Sequence, residues 1–313
     1  MHSDDATSLN PAVTAVVATH NRPELVRLTI ASILDQSYEG PLECIIVFDR
    51  AEPDYSLEDL AEGHGPLRTI RITRNERTAG LAGARNSGVM MATGELVAFC
   101  DDDDEWLAGK LNAQVRTFDD PKVLTSVTGI RIVYDDHETV RVPSASTIDL
   151  ADLTRRRVME AHPSSVVTRR SALLGDIGLV DESIPGSYGE DFDWILRAAR
   201  VGTIAAVQQP LVKVRWGQSL FSRNWKMIID AIDFLIAKHP ELRSDRKGLA
   251  RLNGRRSFAL AALGQRSAAL RNSWGTLKLS AAERRAYLAI LVALRLVSAE
   301  RLMRMAHKRG LGI

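Results

Sequence analysis

Two cysteines in 313 residues leave no material for a disulfide framework. Cys44 and Cys100 each lie inside an apolar run and read as small buried hydrophobes. The seven histidines show no metal-ligand spacing, so no zinc site is expected. Low-complexity tracts are absent, and RRSFALAALGQRSAALRNSW is a single helix-turn-helix unit that cannot by itself form a solenoid. The opening MHSDDATSLN has neither a basic n-region nor an apolar h-region. No secretory leader is therefore expected, and a cytoplasmic location is the default. Long apolar runs are also missing from the tail. Its uninterrupted core, Leu288–Leu294, is far short of the roughly 18 residues a spanning helix needs. What is present, 45% hydrophobic and 26% charged residues, suits one large folded domain with an appendage, or two domains.

Acidic residues are scarce in the last quarter. From Arg243 to Ile313 there are 16 Lys/Arg against three acids, Asp245, Glu283 and Glu300, leaving 25 basic and 36 acidic residues upstream. The overall charge of +2 hides this split. We therefore divide the chain into residues 1–242 and a basic helical region, 243–313. The segment Tyr287–Met305 is expected to be one apolar helix interrupted by arginines. It suits either peripheral contact with an anionic membrane surface or a packing and homo-oligomer interface. No nucleic-acid recognition motif accompanies the charge, which argues against that class of partner.

The first 100 residues alternate strand and helix signals. Ala12–Ala18, Leu42–Phe48, Leu67–Thr73 and Glu95–Cys100 are β-rich. Between them, Pro23 opens a helix with Leu25, Leu28, Thr29, Ser32 and Ile33 on one face, and Gly80–Ala92 forms another. This order indicates βαβ units and a mostly parallel sheet. Further helices are expected at Lys110–Phe118, Glu190–Val201 (closed by Gly202) and Asn224–His239. Strands are expected at Val123–Tyr134 and Ile204–Val214.

Four constellations carry chemistry. Asp101–Asp104 follow a buried strand, where four crowded carboxylates repel unless a cation or ligand offsets them; Mg²⁺ or Mn²⁺ fits such hard oxygen donors. The competing reading is a solvated acidic turn capping a helix near Trp106. Thr19-His20-Asn21-Arg22 leaves strand one as either a nucleotide-binding turn or a plain N-cap. Gly80-Leu81-Ala82-Gly83-Ala84-Arg85-Asn86 opens a helix, either for close phosphate approach with Arg85 or for helix packing. Gly189-Glu190-Asp191-Phe192-Asp193-Trp194 places two carboxylates at a helix start, for general-base work or for dipole capping.

The order of these pieces resembles the family 2 glycosyltransferases, which have the GT-A fold, over roughly Ala12 to Trp216. The resemblance is carried by VTAVVATHNRPELVRLTIASILDQSY, GLAGARNSGVMMATGELVAFCDDDDEWLAGKL and GEDFDWILRAARVG. It implies a Rossmann-like α/β catalytic domain followed by helices. It further implies that Thr19, Asn21, Arg22 and Asp49 contact the nucleotide of a UDP-, GDP- or dTDP-sugar, with Arg85 near the base and diphosphate. Asp101 and Asp103 match the DxD motif, with Asp103 as the expected ligand of Mg²⁺ or Mn²⁺ and Asp102 beside them. Asp191 matches the base of the inverting members and Glu190 its supporting neighbour.

The implied reaction needs a carboxylate to take the acceptor hydroxyl's proton, and a cation to stabilise the departing diphosphate. The acceptor would be a glycan, a lipid-linked sugar or another cell-envelope hydroxyl. Arg215 and Trp216 are candidates to close over donor or acceptor, and His162, Ser164 and Ser165 fall on the acceptor-side loop. Two departures from the family pattern stand out: Arg50-Ala51-Glu52-Pro53 follows Asp49 where a second Asp is usual, and Thr78 stands where an Asn is usual. The alternatives are a sugar nucleotidyltransferase, for which ATHNRPEL lacks the glycine pattern, and a non-catalytic nucleotide-sugar binder, which Asp101, Asp103 and Asp191 argue against.

Overall fold

The computed structural model describes residues 10–134, 137–216 and 224–307; the leader reading of residues 1–9 lies outside the described residues, as do Lys308 and Arg309. β1 (Val13–Thr19), α1 (Pro23–Leu34), β2 (Leu42–Phe48) and β3 (Arg68–Arg74) build outward from the centre of a sheet, all three strands parallel. After α2 (Leu81–Met91), β4 (Leu96–Asp101) returns to the opposite side of β1, with Val13 beside Leu96. The chain reverses its direction of winding there, so a crevice opens at the carboxyl ends of β1 and β4, where open α/β sheets bind ligands. All seven β1 residues are buried. Val16 and Ala18 face one core, Val13, Ala15 and Val17 the other, which is why the strand is a continuous apolar run.

The chain continues through β5 (Glu105–Trp106), α3 (Lys110–Val115), β6 (Val123–Tyr134), β7 (His137–Arg141), β8 (Thr147–Ile148), α4 (Leu150–Arg155), β9 (Val167–Arg169), α5 (Arg170–Leu174), α6 (Glu190–Val201) and β10 (Thr203–Arg215). Among the described residues these complete a ten-stranded sheet of order β3-β2-β1-β4-β9-β6-β10-β5, with β7 on β6 and β8 on β10. β9 runs antiparallel to both β4 and β6. β10 pairs with β6 in parallel, and the ladder slips around Pro210, which has no N–H to donate.

Several local expectations are corrected. The buried face of α1 is Val26, Thr29, Ile30, Ile33 and Leu34, while Leu28 is half exposed; the apolar stripe is rotated from the one centred on Leu25 and Leu28. No helix begins near Trp106. Glu105 and Trp106 instead pair with Lys213 and Val212 of β10, and α3 starts at Lys110. Gly202 does end α6, but in extended rather than left-handed backbone; a Cβ there would lie 2.6 Å from the Leu124 side chain, so the glycine answers a close approach. Lys110 is fully buried, its Nζ 3.9 Å from the Trp106 ring centroid and without a hydrogen-bond partner. Burial pushes its pKa down to about 7.

The remaining helices are α7 (Trp225–Lys238), α8 (Pro240–Ser244), α9 (Arg246–Ala262), α10 (Arg266–Leu279), α11 (Arg284–Ala293) and α12 (Ala299–His307). Asn224 caps α7 by accepting from the Met227 N–H, and Asp245 caps α9 by accepting from that of Gly248. Leu252, Phe258, Ala269 and Ala289 share one apolar cluster with Val16 and Phe99, so these helices extend the core on one face of the sheet. The expected single helix Tyr287–Met305 is two. Leu294 caps α11, Arg295 adopts φ +62°, and the Ser298 hydroxyl accepts from the Arg301 N–H to start α12. Among the described residues no helix is long and apolar enough to cross a membrane.

Candidate active site

β4 delivers Asp101 to the crevice, and the Asp104 N–H donates to the Asp101 carbonyl at 3.1 Å, folding the acidic run into a turn. The four carboxylates enter different surroundings. Asp102 is buried and accepts from Thr19 Oγ1 (2.8 Å) and Arg22 Nη1 (2.9 Å). Asp103 is more open and pairs with the same Arg22 nitrogen at 2.6 Å. Asp104, 1% exposed, accepts from Ser164 Oγ (2.5 Å) and the Arg215 N–H (3.1 Å), with His162 Nδ1 at 3.5 Å. Asp101 pairs with Arg85.

Their acidities follow. Burial, helped by the charge of Asp101, pushes Asp103 up to about 6 and Asp104 well above the carboxylate range. Asp102 is also raised by burial, against the pull of Arg22. Burial acts on Asp101 too, but Arg85 and His162 outweigh it and hold its carboxyl below the usual value. Asp102, Asp103 and Asp104 resist ionisation together, and a divalent cation beside them would stabilise their charged forms. Ligand atoms of Asp101, Asp104 and His162 lie within 4.8 Å of one another, two hard oxygens and one imidazole, a donor set that suits Mn²⁺ and admits Mg²⁺. Asp103, the ligand expected from the sequence, lies on the Arg22 side of the turn.

The second cluster hangs on α2. A Cβ on Gly83 would fall 1.9 Å from the Thr78 carbonyl oxygen, and one on Gly88 2.3 Å from Val16, so these glycines seat the helix against the loop and β1. Asp49 accepts from Asn75 Nδ2 (2.7 Å) and the Gly80 N–H (3.0 Å), tying β2 to the same turn. Arg85 is thereby held beneath the crevice, where it bridges Asp101 and Glu190, the latter at 2.6 Å. Burial alone would lower the Arg85 pKa; the Asp101 and Glu190 carboxylates reverse that and raise it. Burial lifts the Glu190 carboxyl to about 7, with Arg85 opposing and Asp191 adding to the shift.

Asp191 differs from its neighbours. It is half-buried at the first turn of α6, and no described residue donates a hydrogen bond to its carboxylate. Arg85, Phe99, Pro163, Glu190, Asp191 and Trp194 line a small, mostly apolar pocket at this end of the crevice. Trp194 forms its back wall, edge-on to Phe99, with Nε1 donating to the Gly178 carbonyl at 3.1 Å. A cation-competent acidic cluster, a buried arginine bridge and an uncommitted carboxylate thus share one crevice.

Thr19, Arg22, Arg85, Asp101–Asp104, Glu190 and Asp191 converge there. Asn21 holds φ +54° at the turn beside them. Arg215 contributes its backbone N–H, while its guanidinium pairs with Glu105. Trp216 donates its N–H to Val133 and is partly buried. Ser165 is a buried structural hydroxyl bonded to Glu160 and His162 carbonyls. Ser164 does more than its place in HPSS announces: its hydroxyl accepts from the Asp101 N–H and donates to Asp104, locking the two ends of the acidic turn.

The family model for Glycosyl transferase family 2 matches residues 14–174. The chain is 30% identical over 238 residues to WfgD of Escherichia coli, described as a UDP-Glc:alpha-D-GlcNAc-diphosphoundecaprenol beta-1,3-glucosyltransferase, covering 72% of this chain and 88% of that one. Alignments with two other curated relatives span only 58% and 47% of those proteins. In three dimensions it is similar to residues 1–349 of S. aureus TarS, solved with UDP-GlcNAc, at TM-score 0.61 and 15% identity, covering 96% of this chain and 92% of that one. It is similar too to the mannosyltransferase PcManGT of Pyrobaculum calidifontis, solved with GDP-Man and Mn²⁺, at TM-score 0.56 and 19% identity, covering 96% and 85%. At those identities the likeness speaks for the shared GT-A fold.

Proposed function

The chain is a glycosyltransferase that belongs to glycosyl transferase family 2, and we propose that it moves a sugar from a nucleoside-diphosphate donor to a hydroxyl of a lipid-linked cell-envelope acceptor, inverting the anomeric centre. The observation that carries this reading is the uncommitted Asp191 carboxylate beside the Arg85 bridge. Glu190 is engaged by Arg85 and reluctant to ionise, so Asp191 is the group free to take the acceptor's proton as it attacks. The hydroxyl displaces the diphosphate directly, which needs no enzyme nucleophile. Asp101, Asp104 and His162 would hold Mg²⁺ or Mn²⁺. That ion supplies charge stabilisation to the leaving diphosphate. Arg22 and Arg85 keep the acidic residues aligned, and Thr19 fixes the turn that leaves β1. UDP-GlcNAc bound to TarS, and GDP-Man with Mn²⁺ bound to PcManGT, support the donor class and the metal, and the diphosphoundecaprenol acceptor of WfgD supports a lipid diphosphate acceptor.

Thermal-shift screening with UDP, GDP, dTDP and their sugars, each with Mn²⁺ and with EDTA, tests this. One nucleotide series is expected to stabilise the protein in Mn²⁺ and to lose most of that shift in EDTA. For ligand at about 100 times its Kd the stabilisation is about 2.7 kcal/mol. No response to any nucleotide would sink the reading.

We also propose peripheral contact with the inner face of the membrane through the basic tail. Leu270 and Trp274 on α10, and Tyr287 and Leu291 on α11 with Leu294 at its C-cap, form exposed stripes at helical spacing, with Trp274 64% exposed and Leu296 70%. Lys278 stacks on Trp274, and Arg295 stands beside Leu296. Because α9 belongs to the core, point changes are the cleaner probe. Trp274→Ser with Leu296→Ser is expected to cut sedimentation with phosphatidylglycerol vesicles by about tenfold or more. Unchanged sedimentation would refute the contact.

A further inference from the structure

Behind Asp191 lies a group of arginines that the reaction described above leaves unused. Arg251 and Arg255 stand one turn apart on α9. The Arg255 guanidinium carbon is 5.5 Å from the Tyr188 ring centroid, and that of Arg251 is 5.5 Å from Phe192. Those two rings bracket Gly189-Glu190-Asp191. Arg285, at the start of α11, and Arg157, in the loop after α4, complete the set. The charges of Arg255, Arg285 and Asp191 all act on Arg157, and those of Arg255, Arg285 and Arg157 act on Arg251.

Two of these cations, Arg251 and Arg285, are under-satisfied. The guanidinium groups of Arg157, Arg251 and Arg255 donate no hydrogen bond to any described residue. Arg251 Nε and Nη2 and Arg285 Nε are buried without a partner. Glu283 accepts from Arg285 Nη1 at 3.0 Å and offsets part of the charge. Burial and the neighbouring arginines push Arg251 down to about 10, the response of a cation without adequate counter-charge. Native proteins rarely keep buried N–H groups unpaired, and four guanidinium groups at close quarters repel. An anion with several acceptor oxygens answers both, because guanidinium and phosphate match in bidentate geometry. Arg157 is exposed, so the cluster opens to solvent at the end that feels Asp191.

We propose that Arg157, Arg251, Arg255 and Arg285 seat a phosphate or diphosphate group carried by the acceptor. The cluster lies close enough to Asp191 for that carboxylate's charge to act on Arg157. The inference rests on the sugar-transfer reading and names its acceptor class. It distinguishes a phosphate-linked sugar from a neutral glycan end. Anionic lipid headgroups share the chemistry, but the buried N–H groups are set back among α6, α9 and α11, away from a flat bilayer surface.

The test uses the full chain. Calorimetry with inorganic pyrophosphate in EDTA compares the native protein with Arg251→Gln/Arg255→Gln and with the milder Arg255→Lys. Pyrophosphate affinity is expected to fall roughly tenfold or more in the double variant and less in Arg255→Lys. Binding of the preferred nucleoside diphosphate with Mn²⁺ should hold within about twofold, which also reports that the variants fold. In transfer assays, the native preference in kcat/KM for a diphosphate-linked glycosyl acceptor over the same sugar as a neutral alkyl glycoside should shrink toward unity. Equal pyrophosphate affinity in native and variant protein overturns the inference. So does a variant that loses only its binding to phosphatidylglycerol vesicles, which would assign the arginines to headgroups. If no nucleoside diphosphate binds the native protein, the sugar-transfer reading fails instead, and with it the acceptor seat.

Discussion

Asp191→Asn is expected to lower turnover by about two to four orders of magnitude, the range for losing a positioned general base. Donor affinity in Mn²⁺ should hold within about twofold, because the carboxylate contacts no described residue of the donor-side cluster. The substitution keeps the size of the side chain and its place at the first turn of α6. What it removes is the ability to accept a proton. A loss confined to kcat, with acceptor and donor KM little changed, is the signature of an interaction made only in the transition state. Glu190→Gln provides the contrast. It perturbs the buried pairing with Arg85, so it should alter stability along with rate. If Asp191→Asn retained turnover within tenfold of native, the base would have to be sought elsewhere in the crevice.

The strands were legible because parallel strands buried on both faces leave continuous β-branched runs; β2 and α6 coincide with their expected limits. The crevice was legible as well, since its parts follow strand ends and helix starts in a fixed order. Periodicity was less informative where burial is shared. In α1, Leu25 and Val26 are both apolar, and only packing against β2 and β5 decides which faces inward. The break at Arg295 carries no glycine or proline to announce it. Division of labour among the four aspartates was invisible, because it depends on Ser164, Arg215 and His162, brought from distant elements to Asp104. The arginine cluster is hidden for the same reason: residue 157 and residues 251, 255 and 285 are joined by tertiary packing, and in sequence they look like solvated helix charges.

Arg85→Met is expected to cost about 3–5 kcal/mol of stability, the cost of breaking a buried ion pair by removing one partner. Arg85 is nearly fully buried and serves two carboxylates, so its loss strands both Asp101 and Glu190. The pH dependence fixes the sign. Glu190 already has a folded-state pKa raised to about 7 against 4.5 when unfolded, so the folded state holds its proton longer, and stability falls as pH rises between those values. Asp101 behaves oppositely while Arg85 is present. Its depressed pKa adds stability that is present above the unfolded value of 3.8 and lost as pH falls through the folded one. Without Arg85 the Asp101 term disappears and the Glu190 penalty grows. The variant should therefore lag the native protein most near pH 8 and least near pH 5. Urea denaturation in EDTA at both pH values measures this directly, and adding Glu190→Gln should recover part of the loss at pH 8 by removing one uncompensated charge. A destabilisation that is the same at both pH values, and that Glu190→Gln leaves untouched, would mean that Arg85 holds the crevice by packing alone.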